Sequence, residues 1–453
     1  MDRNLTDRYK NIPNLIESSV NMEKSNSKII IHKGDFILKS NKRELQITGE
    51  IYFRWIPNKG TEFTGLTKNS NEDLFQFFDA RENLKLIIND LEMGEVFITK
   101  IGSDIKGTFS SQAVTGDKSI SVEKLNFSIP NLREFYGNSI KKISDDKIYF
   151  TRGRIELEAN EYIIRIDKVD NFKELKSDLD ENGGYIILYG GEIVSKNGSI
   201  SYLDAEKIIY QLNTFLTFIN GRRTSALMIN GIYENETKWC DYTSYFVDTF
   251  KSSVTTWPTL NSINTFDSLW KNYNEIWKDE NHRDFLATAI HWYVEANNNS
   301  GFAEGSIIMA QTALELIYNW WIIENKKLIQ GKDSESLSAS NKIRLLISHL
   351  DILSDVPMGF ENLQKFVDND KQINDAPEAI VQIRNAVVHS QQEKRKKLIS
   401  IHLLAKYEAL QLSLWYIELS ILKILNFNGN YYNRTSSELS RSKSEELVPW
   451  MKT

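Results

Sequence analysis

A single cysteine, Cys240, stands in 453 residues. It can build neither a disulfide framework nor a cysteine-based zinc site, and a reducing, cytoplasmic home fits. Proline and glycine are scarce, 7 and 22 residues, which removes collagen-like, proline-rich and glycine-linker classes. Basic residues do not dominate. The 55 Lys and Arg against 61 Asp and Glu leave a net charge of −6, so any nucleic-acid site must be a local patch. Long apolar runs are missing as well. The most apolar stretch, Ile307–Ile323, is broken at helical spacing by Gln311, Glu315 and Asn319. It reads as a buried soluble helix rather than a membrane span, which needs ~20 mostly apolar residues. Met1-Asp2-Arg3-Asn4-Leu5 opens without the apolar core of a signal peptide. No GxxxxGK[ST], HExxH or GxSxG motif occurs. With the histidines spread over different helices, neither metal nor cofactor is expected.

What is present is ordinary for a folded chain: 41% hydrophobic and 26% charged residues. At ~150 residues per domain the length suggests about three domains, or two large ones. In the front part apolar and polar residues alternate. Leu45, Ile47, Gly49, Ile51, Phe53 and Trp55 take the odd positions, with Gln46, Thr48, Glu50, Tyr52 and Arg54 between them, the period of a half-buried antiparallel strand. Ile155, Leu157 and Ala159 repeat the pattern, as do Tyr162, Ile164 and Ile166. Asn197-Gly198, Gly183-Gly184 and Gly190-Gly191 read as turns. One helix is predicted over Asp204–Phe218, capped by Asp204. From about Trp270 the period becomes helical. Helices are predicted over Arg283–Asn297, from Gly301 past Trp321, over Asn341–Asp351, around Phe360–Val367 and after Asp375-Ala376-Pro377. A long last helix is predicted from Lys394 to Leu425. The fold class is therefore α+β and multidomain: an antiparallel β-rich region over residues 1–269, in one or two lobes, then an all-α bundle over 270–430, then a polar, mobile tail over 431–453.

Chemistry concentrates in Ile383-Arg384-Asn385-Ala386-Val387-Val388-His389-Ser390. A permanent cation, an amide and an imidazole sit at one helix end. RNA cleavage by the neighbouring 2′-hydroxyl suits such a set. It needs a base for the 2′-OH proton and positive charge on the developing phosphorane, and no metal, because the nucleophile belongs to the substrate. His389 exchanges protons near neutral pH, and Arg384 can fork onto two phosphate oxygens. Asn385 and His389, four apart, share a helix face. Arg384 lies five from His389, about 140° around an ideal helix at ~100° per residue. The two converge only if the helix ends or unwinds near His389, or if a second protomer contributes. From spacing alone the motif is weak, and a salt-bridged arginine with a satisfied histidine at a helix end is the commoner explanation.

The run from Asp375 to Ile380, followed by Ile383–His389, resembles the HEPN ribonuclease family, whose signature is Arg, a polar residue, a short apolar spacer, then His. Gly301–Glu304 with Ala313–Glu315, and Asn341–Leu346, look like its preceding and connecting helices. The resemblance covers roughly Trp270–Phe427. It implies an all-α HEPN helical bundle with a cleft built across a homodimer. The implied activity is a metal-independent endoribonuclease leaving a 2′,3′-cyclic phosphate, with His389 as base, Arg384 on the phosphorane and Asn385 orienting one of them. Thr214–Arg223, with Lys238-Trp239 downstream, looks like the N-terminal region of ApeA-type anti-phage proteins. There a sensing region precedes a HEPN ribonuclease, which implies abortive-infection defence, a phage-derived trigger, and tRNA or other host RNA as target. The competing reading is a HEPN domain that binds RNA or nucleotide without cleaving it and scaffolds a partner.

Lys394-Arg395-Lys396-Lys397 follows within eight residues of His389 and suits phosphate binding, or else a solvated helix start. Glu304, Gln311 and Glu315 share one helix face, which reads first as a solvated polar face; alternatively it points into the cleft, with Glu315 a weak candidate to orient Arg384. Gly221-Arg222-Arg223 fits a phosphate contact or a plain turn. His291, His349 and His402 read as ordinary core or surface histidines.

Overall fold

The computed structural model describes residues 11–41, 43–67, 83–144, 147–298, 302–388, 391–436 and 444–452. The chain is α+β, with a β-rich N-terminal region and a helical C-terminal region. It divides into two compact units, one of residues up to 213 plus 224–252, the other of 214–223 plus 253 onward. The β-to-α change thus falls near 253 rather than 270, because the helix Ile263–Trp277 already belongs to the second unit.

In the first unit β1 (Ile29–Lys39), β2 (Glu44–Arg54), β3 (Gly60–Thr67), β4 (Leu84–Ile88), β5 (Leu91–Ile101) and β6 (Ile105–Phe109) close a barrel in the order β1-β2-β3-β6-β5-β4. Closing the sheet leaves no free edge. The predicted alternation holds on β2 from Leu45 to Ile51 and breaks at Tyr52, which is buried together with its neighbours Ile51 and Phe53. Leu45, Ile47, Ile51 and Phe53 are buried, and three of them join Phe36, Phe63 and Leu86 in the barrel core.

A second sheet is formed by β7 (Val114–Gly116), β8 (Lys124–Pro130), β9 (Asn138–Ser144), β10 (Lys147–Glu158), β11 (Tyr162–Lys168), β12 (Ile187–Ser195), β13 (Leu227–Tyr233) and β14 (Glu236–Asp241), in the order β7-β14-β13-β8-β12-β11-β10-β9. Its flanking helices are α1 (Phe172–Asn182) and α2 (Tyr202–Asn220). Gly190-Gly191 is not a turn. Both residues lie inside β12, where a Cβ on Gly191 would meet the Phe127 ring at 2.4 Å and one on Gly190 would meet Ser18 Cα at 2.7 Å. The pair lets neighbours approach the sheet. Asp204 is not the cap of α2 either: Ser201, three residues upstream, caps it, its hydroxyl accepting from the Asp204 N–H at 3.2 Å and donating to the Asp204 carboxylate at 2.7 Å.

The second unit takes in the end of α2 and then α3 (Ile263–Trp277), α4 (Glu280–Asn297), α5 (Phe302–Tyr318) with a π-helical extension at Asn319–Asn325, α6 (Lys332–Ser336), α7 (Ala339–Ser348), α8 (Glu361–Asp368), α9 (Ala376–Val388), α10 (Gln392–Ser400) and α11 (Leu403–Ile424). The predicted long last helix is two. Ile401 and His402 are extended (ψ 123° and 139°), and His402 Nδ1 accepts the Leu404 N–H at 3.3 Å to start α11. The buried Ile401 anchors the break. From Ala405 to Leu422, α11 is buried around most of its circumference and packs on α4, α5, α8 and α9.

The segment after 430 is not a mobile tail over its described residues. β15 (Asn430–Tyr432) pairs with β16 (Glu445–Leu447), and Tyr431 and Val448 are buried. Arg434 lies inside the helical unit with its guanidinium on Glu418 of α11. Its Nη1 donates to Gln411 at 2.9 Å and to Asn297 of α4 at 3.3 Å. A composition rich in Ser, Glu and Lys hid one arginine whose donors complete a buried network.

Candidate active site

Asp375 starts α9 by accepting the Glu378 N–H on its side chain at 3.0 Å. Arg344 of α7 holds the same carboxylate through Nε at 2.5 Å and Nη2 at 2.8 Å, and reaches Glu378 at 3.3 Å. Burial works to raise the Asp375 pKa, but Arg344 and the Glu378 N–H prevail and hold it below its ordinary value. Ala379, Ile380, Ile383 and Ala386 then bury one stripe of α9. That leaves Arg384 and Asn385 half-buried at the rim.

Arg384 Nη1 donates to Asn385 Oδ1 at 3.2 Å. Its Nε is buried without a hydrogen-bond partner, and among the described residues no carboxylate pairs with the guanidinium. The salt-bridged arginine of the plain reading is therefore not what the described residues form. His389 and Ser390 lie outside the described residues. Gln391 is extended (φ −62°, ψ 147°) and precedes α10, so α9 does not run on into α10. A helix that stops near His389 is the condition under which positions 384 and 389 can converge.

The basic run lies on α10, behind Gln392 and Glu393, and not at the start of a long helix. The side chains of Lys394 and Arg395 lie outside the described ones. Lys396 is exposed, and Lys397 pairs with Asp370 at 3.0 Å. Glu315 does not orient Arg384. It is more than half exposed and pairs with Lys342 of α7 at 2.9 Å. On the same helix Glu304 pairs with Lys406 at 3.0 Å, while Gln311 is buried with Oε1 unpartnered. Gly221 ends α2 in a left-handed turn (φ 70°), and Arg223 pairs with Glu295 of α4, so this stretch is a helix end tied to the bundle. Burial and the nearby Arg223 charge hold His291 below its ordinary pKa. Among the described residues no cluster of His, Cys, Asp and Glu could hold a metal, and no helix is long and apolar enough to cross a membrane.

Two features near the motif escaped sequence reading. Ile399 on α10 is 84% exposed, and Leu403, Leu404 and Tyr407 on the first turns of α11 are 66%, 50% and 48% exposed. Leu403 and Leu404 share a helix face with Tyr407. A cleft of about 420 Å³ also opens between α8, α10 and the start of α11.

Residues 117–253 match the YopA central domain, and residues 279–446 match the YopA C-terminal domain. The chain is similar to the SPbeta prophage-derived uncharacterized protein YopA of Bacillus subtilis (strain 168), 25% identical over 446 residues that span 96% of this chain and 98% of the relative. No solved structure matches. The first match ends where the first unit does, and leaves the barrel β1–β6 outside it. The second runs from α4 through β16 and so includes the Arg434 segment.

Proposed function

We propose that the helical unit is a HEPN-type, metal-independent endoribonuclease acting as a homodimer. The observation that carries this reading is Arg384: a half-buried guanidinium with an orphaned Nε, no carboxylate partner among the described residues, and a bond to the neighbouring amide Asn385. A permanent cation with no counter-ion among the described residues, near a helix end, suits an anionic ligand.

In the proposed reaction the 2′-oxygen forms a bond to the adjacent phosphorus and the bond from phosphorus to the 5′-oxygen breaks. His389 takes the 2′-OH proton, and the leaving 5′-oxygen takes one from water. The products are a 2′,3′-cyclic phosphate and a 5′-hydroxyl. Arg384 offsets charge on the phosphorane, and Asn385 holds Arg384 in place. The exposed apolar side chains Leu403, Leu404 and Tyr407 on the first turns of α11, with Ile399 on α10, supply a surface for a second copy. The β-rich unit would then sense a phage-derived trigger, with host RNA such as tRNA as target. The prophage origin named for the relative is compatible with a role in conflict between phage and host. The matched domains are YopA domains, and the ribonuclease assignment rests on the chain's own residues and on its resemblance to HEPN proteins.

Purified protein incubated with total tRNA, beside Arg384→Ala, tests it. Cleavage by the wild type and its loss in the variant are expected. RNA that is bound and left intact by the wild type would favour the scaffold reading.

A further inference from the structure

The cleft between α8, α10 and α11 is lined by groups that no step above uses. Lys365, in the last turn of α8, is exposed and has no ion-pair partner among the described residues. Across the cleft Lys397 and Asp370 face each other at 3.0 Å, and Asp370 also accepts the Gln372 N–H at 3.0 Å. That pair is internally neutral, so the lining keeps one net positive charge, on Lys365. His402 adds a donor. Its Nδ1 accepts the Leu404 N–H, which requires a lone pair on Nδ1, so the neutral ring carries its proton on Nε2. Phe366 presents a half-buried ring that stacks on no other ring among the described residues, and the exposed Asn369 amide lies three residues on. A volume of about 420 Å³ is at the small end of ligand sites, suited to one small planar ligand rather than a helix.

One unpaired cation, an Nε2–H donor, an amide and a free aromatic face complement a monoanionic phosphodiester with an attached base. We propose that this cleft is a subsite for one nucleotide of a single-stranded RNA, with the base against Phe366 and the phosphate at Lys365 and His402. Lys397 belongs both to the cleft and to the basic run of α10, so a strand seated in the cleft has a cationic path along that helix. The proposal deepens the ribonuclease reading and rests on it for the choice of RNA over a free nucleotide.

The test is binding of a fluorescent 2′-fluoro oligonucleotide, which has no 2′-hydroxyl and cannot be cleaved. Fluorescence anisotropy would follow full-length wild type, Lys365→Ala and Phe366→Leu at several salt concentrations, with thermal unfolding as the check on folding. Stacking on an aromatic ring contributes about five- to 150-fold in affinity per base. Phe366→Leu, which keeps the apolar volume, should therefore weaken binding at least about fivefold at every salt concentration. Lys365→Ala should lower the log–log salt slope by about 0.7. Folded variants that bind like the wild type would overturn the subsite. So would a wild type that binds AMP but not the oligonucleotide, which would assign the cleft to a free nucleotide. Either result can coexist with Arg384-dependent cleavage of tRNA, so failure of the subsite and failure of the ribonuclease reading are told apart.

Discussion

Removing Arg434 should cost the helical unit more than almost any other single change. Its side chain is 2% exposed and that of Glu418 is fully buried. Nε donates to Glu418 Oε2 at 3.0 Å, Nη2 to the other carboxylate oxygen and to Thr255 O, and Nη1 to Gln411 and Asn297. Tyr293 donates to Glu418 at 2.5 Å, and burial together with that carboxylate holds the phenol well above its ordinary pKa. Arg434→Leu leaves Glu418 buried without its counter-ion. Breaking a buried pair from one side costs ~3–5 kcal/mol. For a unit of this size about 2–4 °C is lost per kcal/mol, so the melting temperature should fall by roughly 6–20 °C. Glu418→Leu should cost a similar amount by stranding the guanidinium. The double variant strands neither charge and should recover at least half of the sum, giving a large coupling energy. Far-UV circular dichroism of the four proteins during heating measures all of this. Single variants that each lose under about 1 kcal/mol, or a double variant that is simply additive, would refute the reasoning.

Three further outcomes are expected. Reversing Lys394, Arg395 and Lys396 to Glu should weaken RNA binding and lower the log–log salt slope by about two, at ~0.7 per phosphate contact, while the rate on saturating RNA changes little. Lys397 is left in place because it is held by Asp370. Stability should also depend on Asp375. Its folded pKa lies below the unfolded one, so its contribution is fully present above the ordinary aspartate range and is lost as pH falls from that range through the lower folded pKa. Urea midpoints at about pH 6 and about pH 3 should differ less in Arg344→Ala than in the wild type. Leu404→Glu on the exposed start of α11 should shift the protein to monomer in light scattering. A dimer that survives this change would place the interface elsewhere.

Local periodicity carried much of the fold. Leu45 to Trp55 was readable as a strand because a period of two needs no partner to be recognised. The split between α10 and α11 was not, since polar helix-forming residues from Lys394 lead without a Pro or Gly into the apolar stripe that starts at Leu403. What breaks the helix is burial of Ile401 and a histidine acting as a cap, a role usually taken by Ser, Thr, Asp or Asn. Gly190-Gly191 misled for a related reason: the sequence pair of a turn here clears space for Phe127 and Ser18, which come from distant segments. The contact between Arg384 and Asn385 is legible because the two adjoin each other in sequence. The solvated-face reading of Glu315 fits its exposure, but its partner Lys342 sits on another helix and is not visible from local spacing. The cleft of Lys365, Phe366 and His402 exists only once α8, α10 and α11 have packed. A signal for the Arg434 network was present in Glu418, a lone acid between Ile417 and Leu419 in an otherwise apolar stretch that had to find a cation.

The most direct measurement is the end group left on RNA in the presence of EDTA. Wild-type protein should cleave total tRNA with chelator present and leave 2′,3′-cyclic phosphate ends, and His389→Ala and Arg384→Ala should each lower the rate by about 10²–10⁴ without unfolding the protein. Cleavage that appears only with added Mg²⁺, or a His389→Ala protein that cleaves at the wild-type rate, would contradict the assignment.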